Sequence, residues 1–267
     1  MADYTDVLYA TDGPVATLTL NRPDRRNALT RGMLDAVARL ALRAEEDDDV
    51  RVVVLTGTGE DFCMGLDRAS REPPNPRMRF PEAAWRNWTV GHLFQMAKPS
   101  IAILDGLVAG GGLCFALECD IRIASERARF STSYLRVGLP VVDGLAVLLP
   151  AAVGTSHALE LLYTSRVIDA REAERIGLVS RIVPTEELQD RGRELAEEIA
   201  AGPPVAQRVT KHMVQTPLRR AYEEHLPYQL YAMHVNRALG GHDLKEAADA
   251  FREKRKPQFR GLRDDDD

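Results

Sequence analysis

The sequence has few cysteines and no long hydrophobic run. Cys63, Cys114 and Cys119 are its three cysteines, and their odd number and irregular spacing exclude a disulfide framework and a paired-cysteine metal site. No apolar run reaches membrane-spanning length, and the start "MADYTDVLYA" lacks the basic residues and apolar core of a secretory signal. We therefore expect a cytoplasmic protein with no metal site.

The dinucleotide fingerprint G-x-G-x-x-G is also missing. The stretch "GLVAGGGLCF" (106–115) places Gly110, Gly111 and Gly112 side by side, well inside the chain, whereas dinucleotide motifs normally open a domain. Adjacent glycines before a helix let the backbone approach a ligand closely and present free N–H groups. The pattern therefore predicts a site for an anion other than a dinucleotide phosphate.

The composition is that of one large globular chain. Of 267 residues, 45% are hydrophobic and 28% charged, so the core can form without disulfides. The net charge of −5 disfavours nucleic acid as a partner. The terminal run "RDDDD" predicts a solvated, disordered end.

The first 150 residues alternate between strand and helix patterns. Asp12-Gly13 predicts a hairpin, Thr30 predicts the cap of a helix over 31–44, and "VRVVVLTG" predicts a buried strand. Further predictions are a surface segment over 71–81, a helix over 82–97, a strand over 100–104, a helix from the glycines to about Cys119, and a strand "IRIAS". This alternation predicts an α/β fold with parallel strands.

After Pro150 the patterns become helical. We expect a core over 1–200 and a helical region over 201–267, with a break at Pro203-Pro204. The helical region has more apolar side chains than a lone tail can bury, which predicts association of subunits. Those side chains include Val205, Val209, Leu218, Leu226, Leu230 and Val235.

Several ordered motifs together resemble the crotonase superfamily, the enoyl-CoA hydratase/isomerase family. They are "LNRPDRRNAL" (20–29), "FCMGLD" (62–67), "KPSIAILDGLVAGGGL" (98–113), "ECDIRIASERARF" (118–130), "IDAREAERIGLVSRIVP" (168–184) and "AFREKRKPQF" (250–259). The resemblance spans nearly the whole chain. It implies a spiral of ββα turns, a C-terminal helical region that forms homotrimers or hexamers, and a CoA thioester substrate with no bound cofactor.

The same resemblance assigns binding residues. Backbone N–H groups of Leu66 and Gly111 would hold the thioester oxygen as an enolate forms, so the predicted anion is an enolate oxygen. The CoA contacts implied are the same two residues with Arg26, Asn27, Ala28 and Asp67, and Phe251 and Lys254 near the C-terminus, often reaching CoA from a neighbouring subunit.

The sequence departs from the family where hydratases carry two glutamates. Cys114 and Tyr134 occupy those positions. Because addition of water needs one group to activate it and another to deliver a proton, isomerisation or other enolate chemistry is favoured over standard hydration. Asp143 is the acid/base candidate, with the helix N-cap as its alternative role. A non-catalytic acyl-CoA-binding protein is the alternative function.

Other side chains have two interpretations each. Tyr134, a candidate catalytic residue, could orient substrate or be a packed aromatic whose hydroxyl is satisfied. Cys114 could be a nucleophile, although a small core residue is favoured. Glu118 could reach the pocket, although an ion pair with Arg122 is favoured. His92 is expected to be packed or exposed rather than functional.

Overall fold

A computed structural model describes residues 4–67, 69–70 and 91–261, except for the side chain of Phe251. The predicted surface segment 71–81, most of the predicted helix 82–97 and the acidic end lie outside these residues. Within them, no helix is long and apolar enough to cross a membrane.

The N-terminal elements follow the sequence pattern. Strands β1 (Val7–Asp12) and β2 (Val15–Leu20) form the predicted hairpin, with Val7 paired to Leu20 in antiparallel register. The hydroxyl of Thr30 accepts from the Met33 amide and caps α1 (Arg31–Glu46). Strand β3 (Val52–Gly57) is buried along nearly its whole length, as its apolar run predicted.

The remaining elements continue the alternation and then become helical. In chain order they are α2 (His92–Gln95), β4 (Ser100–Leu104), β5 (Leu107–Ala109), α3 (Gly111–Glu118), β6 (Ile121–Ser125), β7 (Arg129–Ser131), α4 (Leu145–Val153), α5 (Thr155–Thr164), β8 (Ile168–Asp169), α6 (Ala170–Arg175), β9 (Arg181–Val183), α7 (Leu188–Ala200), α8 (Pro204–Leu239) and α9 (Gly241–Glu253), with short 3-10 turns at Pro23–Arg25, Leu135–Val137 and Thr185–Glu187.

Two sheets share the strands. In the described residues, one sheet has the order β1-β2-β3-β4-β6-β9 and the other β5-β7-β8. From β2 to β9 the neighbours in the larger sheet are parallel. Successive strands alternate between the sheets: β4 and β5 precede α3, and β6 and β7 precede α4. Each of these two turns of chain supplies one strand to each sheet and then a helix, which agrees with the predicted α/β class and its ββα turns.

The C-terminal helices pack partly into the same core. Tyr222 and Leu226 of α8 belong to the main hydrophobic cluster, and Leu218 packs against it. In contrast, Val205 and Val209 near the start of α8 are 73% and 53% exposed. The helix therefore has one stretch bound to its own core and another whose apolar surface faces outward. The division at residue 200 stays a prediction.

Candidate active site

The loop after β3 presents the backbone of Leu66 beside the glycine turn. The Leu29 amide donates to Gly65 O and the Asp67 amide donates to Leu29 O, both at 2.8 Å. In this parallel bridge the residues on either side of Leu66 make the hydrogen bonds, so the N–H of Leu66 itself faces away from Leu29. Gly65 has φ 98°, and a Cβ there would lie 3.0 Å from Ala109 O and 3.5 Å from Gly111 N. The two predicted oxyanion loops are therefore adjacent.

Each glycine of the turn has its own physical reason. Gly110 has φ 51° and ψ −121°, a conformation essentially restricted to glycine. A Cβ on Gly112 would lie 2.6 Å from the Cβ and carbonyl oxygen of Cys63, so a side chain there would displace the loop. Gly111 is the first residue of α3, where the amide has no partner within the helix. Close packing thus accounts for Gly112, and backbone geometry for Gly110.

The backbone amides of Leu66 and Gly111 are the predicted oxyanion donors. No backbone or side-chain acceptor among the described residues takes a hydrogen bond from either of them. Leu66 as a whole residue is 60% exposed. Within the described part of the chain, these are two amides without an acceptor on adjacent loops, one of them at a helix N-terminus, and such a pair can stabilise a developing oxyanion.

A short hydrogen-bonded chain joins α3 to the loop before α4. The Tyr134 hydroxyl donates to Asp143 Oδ2 at 2.8 Å, and Cys114 Sγ lies 3.3 Å from the same hydroxyl. Because the tyrosine proton is directed at the carboxylate, the thiol is the donor in the second contact. Cys114 lies one helical turn after Gly111, on the same side of α3. These hydrogen bonds therefore connect α3 to Asp143.

Burial keeps the two uncharged members of this chain protonated. Tyr134 is 8% exposed and Cys114 is fully buried. Burial, followed by the negative charge of Asp143, raises the pKa of both the Tyr134 hydroxyl and the Cys114 thiol well above their usual values. Tyr134 is thus a hydrogen-bond donor rather than a base. The thiol environment is that of a core cysteine, and not of a nucleophile.

Asp143 has an unusual backbone conformation. It is half-buried with φ 58°, in the left-handed region that Asp and Asn adopt more readily than most residues. The N-cap of α4 is Gly144, one residue later, whose amide donates to Gln229 Oε1 at 3.0 Å. The N-cap interpretation of Asp143 was therefore wrong by one position, because the left-handed turn at Asp143 delays the helix start.

Glu118 does not form the expected ion pair. Arg122 donates to the carbonyl oxygens of Leu178 and Cys119, both at 2.7 Å, while Glu118 Oε1 accepts from the Gly91 amide at 2.8 Å. The prediction failed because α3 ends at Glu118, so the four-residue spacing to Arg122 is not helical. Glu118 is 1% exposed, and burial is the main cause that raises its pKa to about 8.

The predicted CoA loop has a rigid interior and an exposed rim. Asn27 is fully buried, and its side chain bonds to Arg22 N, Thr58 O and Asp61 O, so it shapes the loop and cannot touch a ligand. Ala28 is 4% exposed. The Asp61 carboxylate holds the exposed Arg26 guanidinium at 2.6 Å.

Of the other predicted contact residues, Asp67 is half-buried and Lys254 is exposed. Asp67 forms an ion pair with Arg22 at 3.1 Å, so its carboxylate already has a partner. Lys254 follows the end of α9 and is exposed, as is His92 on α2. No group of three or more His, Cys, Asp or Glu side chains in the described residues could hold a metal ion.

The sequence analysis missed Tyr222. This residue is fully buried and contributes its ring to the space between Gly91 and Gly144. A Cβ on Gly144 would lie 2.0 Å from the ring, so this glycine is required by the tyrosine. The signal available in the sequence was the unexplained Gly144, but nothing in the sequence links it to a residue 78 positions later.

Comparisons with known proteins show the family to which the chain belongs. The family model described as enoyl-CoA hydratase/isomerase matches residues 10–262. (E)-benzylidenesuccinyl-CoA hydratase of Thauera aromatica is 37% identical over 249 residues, covering 92% of this chain and 96% of that protein. The probable enoyl-CoA hydratase echA8 of Mycobacterium tuberculosis is 33% identical over 256 residues, covering 96% and 98%.

A solved structure extends the agreement to the fold. The enoyl-CoA hydratase/isomerase of Pseudoalteromonas atlantica T6c superimposes with a TM-score of 0.85 at 30% identity, covering 96% of this chain and 100% of that one. Family model, curated relatives and solved structure thus agree over nearly the full length. The chain is therefore an enzyme that belongs to the enoyl-CoA hydratase/isomerase family.

Proposed function

We propose that this enzyme stabilises the enolate of an acyl-CoA thioester and moves a proton on it with Asp143, in an isomerisation or a related enolate reaction. The observation that carries the proposal is the 2.8 Å hydrogen bond from Tyr134 to Asp143, which joins this carboxylate through Cys114 to the helix that begins at Gly111. Tyr134 and Cys114 stand where related hydratases carry glutamates, so Asp143 is the carboxylate left for proton transfer in this loop.

The proposed steps follow from the groups present. The thioester oxygen accepts from the amides of Leu66 and Gly111, and these bonds strengthen as negative charge develops on it. Asp143 takes the proton from the carbon next to the thioester, which gives the enolate. For a double-bond shift the same carboxyl group returns that proton to the far end of the conjugated system. One base therefore suffices, and it typically contributes about 10²–10⁴ in rate.

Tyr134 is a positioning residue in this scheme. Its hydroxyl fixes the orientation of the Asp143 carboxylate and stabilises the ionised form that can accept a proton. Because burial and the charge of Asp143 raise its pKa, Tyr134 keeps its proton at neutral pH. It therefore cannot serve as a base, and in a hydration it could take part only by donating its proton.

Hydration of a bulky enoyl thioester is the second candidate. It is favoured by the 37% identity to a protein named (E)-benzylidenesuccinyl-CoA hydratase. In this case Asp143 would activate the water, and a second acid would supply the proton. An acyl-CoA-binding protein without turnover is the third possibility, and the lack of glutamates at 114 and 134 is what supports it.

Binding and assembly are part of the same proposal. The loop with Arg26, Asn27 and Ala28 would hold CoA through its backbone and the Arg26 side chain, with Phe251 and Lys254 completing the site from a neighbouring subunit. The substrate needs no further cofactor. The exposed apolar stretch of α8 would be covered in a trimer or hexamer. Its members in the structure include Val205, Val209, Met213 and Val214.

A turnover screen tests the proposal. Purified protein is incubated with short, medium-chain and aromatic enoyl-CoA thioesters, and products are separated by mass and by double-bond position. An isomer of unchanged mass supports the one-base reaction, and a product heavier by one water supports hydration. Saturable binding with no product from any thioester would favour the binding protein.

A further inference from the structure

A second carboxyl group lies on the same face of α3 as the proposed oxyanion donor. Glu118 follows Cys114 by four residues and Gly111 by seven, which places the three along one side of the helix. Its Oε1 is held by the Gly91 amide at 2.8 Å. Its Oε2 has less than 1 Å² of exposed surface and no hydrogen-bond partner among the described residues. A buried carboxyl oxygen of this kind calls for an explanation.

Tyr222 supplies a second buried polar atom without a partner. Its hydroxyl oxygen is also buried and unbonded within the described part of the chain. A Cβ on Gly91 would lie 2.6 Å from this oxygen, and a Cβ on Gly144 would lie 2.9 Å from it. The hydroxyl therefore lies between the residue whose amide holds Glu118 and the residue that follows Asp143.

Two carboxyl groups share this buried region. We call the set Cys114, Glu118, Tyr134, Asp143 and Tyr222 the acid cluster. Burial, then the charges of Glu118 and Asp143, raise the pKa of Tyr222, and the Asp143 charge also acts on Glu118. Two negative charges in a poorly solvated region repel each other, so one carboxyl group keeps its proton. Both carboxyl groups accept hydrogen bonds that favour the charged form, Asp143 from Tyr134 and Glu118 from the Gly91 amide. At Glu118, which is the more deeply buried, burial outweighs these bonds.

We propose that Glu118 is a positioning residue for Asp143: it holds a proton while Asp143 is ionised, so that the acid cluster carries one negative charge, placed where the substrate is deprotonated. When Glu118 is neutral, Oε2 carries the proton, while Oε1 accepts from the Gly91 amide. Among the described residues, the hydroxyl oxygen of Tyr222 is a nearby acceptor without a partner. This inference rests on the proposed role of Asp143 as the base.

Ionisation of Glu118 would oppose the reaction. A second negative charge on the face of α3 that begins at Gly111 would repel the developing enolate oxygen. Among the described residues, the other titratable groups that act within this region are the thiols of Cys114 and Cys119 and the hydroxyls of Tyr134 and Tyr222. Burial raises the pKa of all four, so they stay neutral at the pH where Glu118 titrates. As the pH rises above neutral, Glu118 therefore loses its proton before these thiols and hydroxyls do.

The test compares pH–rate profiles of wild type, Glu118→Gln and Tyr222→Phe on the best thioester of the screen. A glutamine at position 118 has nearly the size of Glu, can still accept the hydrogen bond from the Gly91 amide, and is neutral at every pH. We expect wild-type kcat/KM at pH 9 to be about tenfold below its neutral value, because Glu118 has a pKa of about 8. Glu118→Gln should keep its neutral rate at pH 9. Tyr222→Phe should move the alkaline fall to lower pH, because it removes the acceptor for the O–H of neutral Glu118.

An infrared readout separates this inference from the proposed function. Wild-type enzyme without substrate should show a protonated-carboxyl band at pH 6.5 that disappears above about pH 8 and is missing in Glu118→Gln. A wild-type spectrum without that band overturns the inference, as does an unchanged alkaline fall in Glu118→Gln or a folded Glu118→Gln with no activity at any pH. Undiminished turnover in Asp143→Asn would instead refute the proposed role of Asp143 as the base, whatever the infrared result for Glu118.

Discussion

The hydroxyl of Tyr134 donates a 2.8 Å hydrogen bond to the carboxylate of Asp143, nine residues later in the chain. Tyr134 is therefore in direct contact with the proposed base. It orients the carboxylate that the proposed reaction uses.

Removal of this hydrogen bond should weaken the base without abolishing it. In Tyr134→Phe we expect kcat/KM to fall by about tenfold, because a hydrogen bond to a charged group is worth roughly 1.5–3 kcal/mol and part of it is replaced by water. The acid limb of the pH–rate profile should move to higher pH, since the ionised carboxylate loses a donor. An unchanged profile would show that Tyr134 only fills space.

The Gly111 amide can be tested with a matched pair of variants. Gly111→Pro removes the N–H at the first position of α3, where proline is tolerated, whereas Gly111→Ala adds a similar Cβ and keeps the N–H. In both, the new Cβ meets only the end of the Leu29 side chain, at 3.0 Å. We expect kcat about 10²–10³ lower for Pro than for Ala, at similar melting temperature. Equal rates would exclude Gly111 as an oxyanion donor.

Glu118 should make stability depend on pH. Its pKa is raised by burial from 4.5 to about 8, so the folded protein binds one proton more than the unfolded chain between these values. Stability is therefore full below the unfolded pKa and is lost as pH rises through about 8. Relative to wild type, Glu118→Gln should gain melting temperature at pH 8.5 but not at pH 4.5. The opposite trend in thermal scans would show that Glu118 is charged and paired.

The cysteines should be unreactive in the folded enzyme. All three are buried, which raises the pKa of Cys63 and Cys119 to about 12 and that of Cys114 well above 9. We expect iodoacetamide at pH 8 to leave the native protein unmodified, and to alkylate three sites after denaturation. Mass spectrometry that found Cys114 labelled in the native state would revive its interpretation as a nucleophile.

The exposed apolar stretch of α8 should be an interface between subunits. Val205, Met213 and Val214 are each at least 70% exposed. Covering them on association is favourable by about 25 cal/mol per Å² of apolar surface. Light scattering at micromolar concentration should give three or six times the chain mass. Val214→Glu should shift the protein toward smaller species, whereas Leu42→Glu, an exposed site on α1, should not. A wild-type monomer would refute the assembly.

Sequence reasoning succeeded where the signal is local. The hairpin at Asp12-Gly13, the Thr30 cap and the glycine turn each depend on residues a few positions apart. It failed for Glu118, whose partner depends on where α3 ends and on the approach of Gly91 from another element. Tyr222 packs against Gly91 and Gly144, which are far from it in the sequence, and no local pattern encodes such packing. The acid cluster was therefore visible only in part before the structure.

The most direct test of the account is turnover by Asp143→Asn. Asn accepts the Tyr134 hydrogen bond, tolerates φ 58° and nearly preserves the volume, so melting temperature and acyl-CoA affinity should be unchanged. On the best thioester of the screen we expect kcat to fall by about 10²–10⁴, the usual contribution of a positioned base. A variant that binds acyl-CoA and turns it over at the wild-type rate would contradict the central claim that Asp143 moves the proton.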